Sequence, residues 1–401
     1  MTIFDFVLLG IAAVFAAIAM LPRIRLNRFW AATVTPLASI IGSGFLVIAP
    51  LLAAVAGAYA LAAMFAIVLL AYGIGHLIRY NIRFAEPLTT KVGAPRGLGV
   101  FNLLSNSALS VAYVISVAFY IRLLASFALS MTPINSPLFE NILATAILLA
   151  IAGIGYARGL RGLEMVETIS VSIKLSIIIA LLFGLVWHNF DTGIWWANLV
   201  ADDADTLTRL RMLGGMLLVV QGFETSRYMG AQYSADLRRK TMNIAQISSG
   251  LIYLAFVALV IPVLVYLPAG KPDETAIIGI TGQVATVLPF LLVLAALMSQ
   301  LSAGIADTVG AGGLVVEESR GRIIERHAYP VLVAFSILLI WSFDIFEVIS
   351  IASRTFAFYY MMQSIIALLV ARQNRHYGQM VFGLGLALLL GLIVIFAIPV
   401  E

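Results

Sequence analysis

Ser39-Ile40-Ile41-Gly42-Ser43-Gly44-Phe45 stands at the centre of an apolar stretch that runs from Trp30 to Val55. The stretch is long enough to cross a bilayer, whose hydrocarbon layer of ~30 Å takes about 20 helical residues. Its middle nevertheless holds two glycines and a serine, which weaken a helix and expose its backbone polar groups. In lipid, open backbone is tolerated only where it lines a cavity inside the protein. The stretch therefore reads as a discontinuous helix broken at Gly42 to Gly44. Free amides and carbonyls at such a break near the midplane can hold a small charged solute. Ile41, Gly42, Ser43, Gly44 and Phe45 are the first candidate binding residues.

Outward from the break, the chain reads as a frame for it. Of 401 residues, 62% are hydrophobic and only 11% are charged, a composition far from that of a soluble domain. The class is an all-α integral membrane protein. The net charge of +4 is not a nucleic-acid footprint, because the cations cluster in short loops between apolar spans, where they orient the chain in the membrane. Cysteine is absent, which excludes disulfides and thiolate metal sites. Residues 2–20 carry neither a basic leader nor a cleavage site, so they read as a retained helix rather than a signal peptide.

About twelve transmembrane spans can be marked, near residues 3–21, 30–55, 57–78, 98–127, 139–156, 164–187, 209–235, 244–267, 282–314, 328–342, 345–371 and 379–399. The loops between them alternate in charge. One set holds Arg23, Arg25 and Arg28, then Arg79, Arg83, Lys91 and Arg96, then Arg158 and Arg161, Arg238 to Lys240, Arg320 to Arg326, and Arg372 with Arg375. The positive-inside rule puts this set in the cytoplasm and both termini outside. The opposite set is poor in cations and holds the acidic Asp202-Asp203-Ala204-Asp205, with Lys271 as an exception and Arg209 and Arg211 close by.

A second break lies five helices after the first, in Val219-Val220-Gln221-Gly222-Phe223-Glu224-Thr225. Five helices invert the topology, and interrupted helices at matching positions of two inverted halves point to a transporter's binding site. The halves are residues 30–187 and 209–371, joined by an external loop at 188–208. An extra N-terminal helix falls in residues 1–29 and an extra C-terminal helix in 372–401. Gln221, Gly222, Phe223 and Glu224 join the candidate binding residues.

Gly42-Ser43-Gly44-Phe45 followed by Pro50 resembles the first-helix signature of the amino acid, polyamine and organocation (APC) transporter superfamily. Gly222-Phe223-Glu224 resembles its sixth-helix motif, and Lys174 sits where many members carry a fifth-helix lysine. The likeness extends from about Trp30 to Arg375. It implies a LeuT-type fold of five plus five inverted helices, alternating access, and a solute held between core helices 1 and 6. The chain departs from the family in Ala231-Gln232, where paired acids are common, in Arg227, and in its leading helix. These departures set it apart from ordinary amino-acid specificity.

The intramembrane charges carry the remaining expectations. Lys174 lies about ten residues into its span, ~15 Å from the nearer end at 1.5 Å per residue. An ionisable group at that depth faces a cavity or a partner, so Lys174 is either a proton carrier or a structural tether to carbonyls of core helix 1. By the family resemblance it stands where related transporters hold sodium. Glu224 and Arg227, three apart, read either as a local ion pair or as groups that meet the solute. By the same resemblance the eighth core helix lies near core helices 1 and 5, which makes Asp307, Ser299 and Ser302 candidates to face Lys174 or a coupling ion. Glu347 and Arg354, seven apart, read as a structural or gating pair.

Catalytic and metal-binding constellations are absent from the sequence. His76, His188, His327 and His376 stand singly, with no HExxH pair, and no Walker sequence occurs. The expectation is therefore not an enzyme but a secondary transporter of an amino acid, amine or related ion, without cofactor or metal, coupled to protons or working as an exchanger. A sodium symporter, and a nontransporting sensor or subunit of a larger complex, are the alternatives. The expected partners are a small-molecule substrate and the lipid bilayer, and no nucleic acid. The expected location is the bacterial inner membrane.

Overall fold

The computed structural model describes all residues except 43, 89–94, 135, 161–163, 198, 200, 202–203, 231, 268–273, 320 and 401, and gives no side-chain surroundings for 164–168. Ser43 of the first break lies outside the described residues. So do Lys91, Arg161, Lys271, Arg320, Asp202, Asp203 and Ala231.

The described residues form helices and no strands. In chain order these are α1 (Ile3–Met20), the short α2 (Pro22–Arg25), α3 (Arg28–Gly42), α4 (Ile48–Ala56), α5 (Ala60–Phe84), α6 (Leu98–Leu129), α7 (Pro137–Arg158) and α8 (Glu164–Thr192). They continue as α9 (Thr206–Gly215), α10 (Thr225–Tyr228), α11 (Ala235–Val260), α12 (Ala276–Thr281), α13 (Leu288–Glu318), α14 (Glu325–Ser342), α15 (Ile345–Gln373) and α16 (Tyr377–Phe396). Nine helical stretches among the described residues are long and apolar enough to cross a membrane, which makes this an integral membrane protein. The expected twelve add to these the interrupted stretches around α3 and α9–α10, and α14.

Local chemistry sets the ends. Asp344 and Glu347 form a capping box that starts α15, and the Ser234 hydroxyl accepts from the Leu237 amide to start α11. Thr2 and Asp5 form another box at α1. The Asp5 carboxylate also accepts from the Thr286 hydroxyl at 2.7 Å and from the Val287 amide at 3.1 Å, which fastens α1 to the start of α13.

α6 is the central post, wedged between α13 and α15, with α11 covering α3 and α5. Inside it, Arg122 pairs with Glu140 of α7 at 3.2 Å, both nearly buried. Such a pair is tolerated because each charge neutralises the other.

Three charge expectations are corrected. Arg238 to Lys240 do not sit in a loop but in the first turns of α11, and Arg79 lies buried inside α5. Glu347 and Arg354 do not pair. Glu347 caps its own helix, while Arg354 Nε donates at 2.8 Å to the Val394 carbonyl near the end of α16. Arg211 Nε does the same for the Phe396 carbonyl at 2.9 Å. Both cations neutralise the exposed carbonyl end of α16.

Candidate functional site

The first break opens where α3 stops at Gly42. The chain turns through residues 44–47 and resumes as α4 at Ile48. Pro50 falls in the first turn of α4, where its missing amide costs no intrahelical bond. At the second break α9 tightens into a 3-10 turn, Leu217–Val220, and Gln221 is extended. Gly222 then takes φ +119°, which only glycine adopts without strain, before the four-residue α10. The helix expected to run on to residue 235 therefore ends at Tyr228.

The two breaks lie against each other. A Cβ on Gly222 would stand 2.7 Å from the Ile40 backbone nitrogen, and one on Gly44 would stand 2.9 Å from Val219 Cγ1. Gly222 lets one backbone approach the other, and Gly44 leaves room for the Val219 side chain.

Side chains from other helices reach into the junction. The Tyr253 hydroxyl of α11 stands 2.9 Å from the Ile40 carbonyl and 2.7 Å from the Val219 carbonyl, one donor shared by both broken helices. Gln300 of α13 donates to the Gly42 carbonyl at 3.1 Å. Gln221 donates to the Tyr120 hydroxyl at 2.7 Å, and Ser353 receives the Leu218 amide at 2.8 Å. Phe45 packs its ring on Tyr253 and Phe256. Ile41 and Gly42 are buried beside it.

Glu224 is fully buried. Its Oε2 accepts from the Gly222 amide at 2.9 Å and from the Tyr360 hydroxyl at 2.8 Å, and Phe223 stacks on the Tyr360 ring at 5.3 Å. The local ion pair, one of the two readings of Glu224 and Arg227, is not formed. Glu224 precedes the single turn of α10 and folds back across the break, while Arg227 Nη2 donates to Asn102 of α6 at 2.8 Å. Glu224 Oε1 and Arg227 Nη1 are both buried without a hydrogen-bond partner.

Lys174, 2% exposed, donates from Nζ to the Ala38 carbonyl at 2.6 Å and to Ser299 Oγ at 3.2 Å. A Cβ on Gly42 would lie 3.5 Å from the same Nζ. Asp307 is buried and accepts from Ser116 of α6, and Ser302 is buried on α13. The structure thus gathers Lys174, Ser299 and Gly42 at one point. Tyr253, Gln300, Tyr360 and Tyr120 were not anticipated; no spacing in the sequence marks them.

A cavity of about 20 Å³, lined by Ile40, Val220, Phe223 and Tyr253 among others, touches both breaks. That is space for about one water.

Comparison with known proteins gives two matches. Residues 22–397 match the sequence pattern of a family described as an APC superfamily transporter. An uncharacterized protein of Aquifex aeolicus (strain VF5) is 42% identical over 405 aligned residues, covering 100% of this chain and 98% of that protein.

Proposed function

The chain belongs to an APC superfamily transporter family, and from that premise we propose that it moves a small organic ion, an amino acid, amine or related solute, across the bacterial inner membrane by alternating access. The observation that carries this reading is the contact of two helix breaks around buried, incompletely bonded polar groups. Glu224 Oε1 and Arg227 Nη1 lack hydrogen-bond partners, and a buried polar atom left unbonded is costly unless something binds it. Glu224 suits an ammonium or other donor, and Arg227 an anionic group.

Solutes of this size need a pocket of about 300 Å³ or more, so the breaks separate when they bind. In this reading Ile41 to Phe45 and Gln221 to Glu224 supply the backbone groups, and Asp307 and Ser302, buried on α13, are coupling candidates. The reading includes two inverted halves of the LeuT type, which the mutual contact of the breaks supports.

Coupling is assigned to Lys174. Its ammonium already occupies the Ala38 carbonyl and the Ser299 hydroxyl, the kind of oxygen ligands that sodium takes, which favours proton coupling or exchange over sodium symport. The test is flux of radiolabelled amino acids and amines into vesicles of purified protein under an imposed proton or sodium gradient. Uptake driven by the proton gradient and indifferent to sodium supports the reading. Sodium-driven uptake overturns the coupling, and binding without flux overturns transport.

A further inference from the structure

Away from the breaks, α5 and α11 border a pocket of about 400 Å³ whose walls include Arg79, Arg83, Arg239 and Lys240. The same pocket holds one carboxylate, Asp236, already paired with Arg239 at 3.0 Å. Arg79 is buried, bonded to Gln246 and lying over the Tyr72 ring at 4.9 Å. Arg239 Nε is buried without a hydrogen-bond partner. Loop cations that serve only to orient a chain stay solvated on its surface. These converge on one concavity, and a surplus of cations with a buried open donor calls for an anion.

The two helices also show what carries the anion. On α5, Phe65, Leu69, Tyr72, His76, Arg79 and Arg83 follow one another at spacings of four and three, so they share one helical face. That face changes along its length from exposed apolar rings and chains at Phe65 and Leu69 to cations at Arg79 and Arg83. The antiparallel α11 repeats the change, from exposed Leu251 and Ile247 to Lys240 and Arg239. Exposed apolar side chains that give way to a basic pocket match a phospholipid, tails along the apolar strip and phosphate at its end. Basic pockets between transmembrane helices are known to take anionic headgroups.

We propose that this pocket binds the phosphate headgroup of an anionic phospholipid, with an acyl chain laid along the exposed apolar faces of α5 and α11. The site is independent of the solute reading above. The test is thermal unfolding of the full chain in detergent with added phosphatidylglycerol, phosphatidylcholine or inorganic phosphate. Phosphatidylglycerol is expected to raise the unfolding temperature with concentration, and the other two are not.

Arg83 and Lys240 are exposed at the rim, so R83Q/K240Q should fold. It is expected to weaken phosphatidylglycerol binding roughly thirtyfold, about fivefold for each cation. R158Q/R326Q, which removes the same charge elsewhere, is expected to leave binding unchanged. Equal stabilisation by inorganic phosphate would reassign the pocket to a soluble anion. Undiminished lipid binding by R83Q/K240Q, or equal loss in both double variants, overturns the proposal.

Discussion

The Lys174 ammonium donates to the Ala38 carbonyl at 2.6 Å, one helical turn before α3 breaks at Gly42. This charge-assisted bond ties Lys174 to the helix whose break is proposed above to form half of the binding region. When the proton leaves, the amine no longer pulls on that carbonyl with full charge.

Replacing Lys174 with alanine is therefore expected to abolish proton-driven uptake. Solute binding, read by thermal shift, should persist within about tenfold, the scale of one charge-assisted bond of roughly 1.5 kcal/mol. Proton-driven uptake at the wild-type rate by Lys174→Ala would end the coupling role of this residue.

Tyr253→Phe removes one hydroxyl and leaves both the Ile40 and Val219 carbonyls without that donor. Loss of the one hydroxyl proton that the two carbonyls share costs about 0.5–1.5 kcal/mol, so the unfolding temperature is expected to fall while expression persists. An unchanged unfolding temperature would mean that neither bond matters in the folded state.

Gly222 and Gly313 make a matched pair. Gly222→Ala places a Cβ at φ +119°, against Ser39 and the Ile40 nitrogen. The backbone strain alone costs about 1–3 kcal/mol, and the overlap forces the breaks apart. Gly313→Ala, with open space at its Cβ inside α13, is expected to stabilise by about 0.5–1 kcal/mol. Chemical or thermal unfolding of the two variants checks the contrast.

Arg238 donates to both carboxylate oxygens of Glu86, at 3.0 and 2.6 Å, and to the Arg227 carbonyl at 2.6 Å. This clamp closes the basic end of α11 over α10. Since bonds to charged groups contribute about 1.5–3 kcal/mol, Glu86→Ala should speed thiol labelling of a cysteine placed at Ser226 by about tenfold or more. The chain has no cysteine of its own to interfere. Equal labelling rates with and without Glu86 would remove the clamp from any gating role.

Gly42 and Gly222 were legible as breaks because glycine among apolar residues at bilayer depth has a high local cost, and cost is visible in sequence. Lys174 was legible for the same reason, and so was the composition that makes the chain a membrane protein. The partners of these residues were not. In a membrane, the apolar period marks a helix but does not say which face meets protein and which meets lipid, because both surroundings are apolar. Tyr253, Tyr360 and Gln300 therefore read as ordinary positions in long spans, and Arg122 was hidden inside one.

The local ion pair, one of the two readings of Glu224 and Arg227, is not formed for a different reason. Their spacing implies a pair only in a continuing helix, and α10 is a single turn. Secondary structure that exists only through tertiary contact leaves no periodic trace.

The hydroxyl of Tyr253 touches a carbonyl of each broken helix at once. Neither break can shift far without disturbing the bond that also restrains the other, so this side chain acts as an interlock. A carrier whose two sides opened independently would at times be open to both, and would short-circuit the gradient that drives it. On the transport reading proposed above, one proton donor shared between the two broken helices makes that leak costly, and it does so with a group that has no need to touch the cargo.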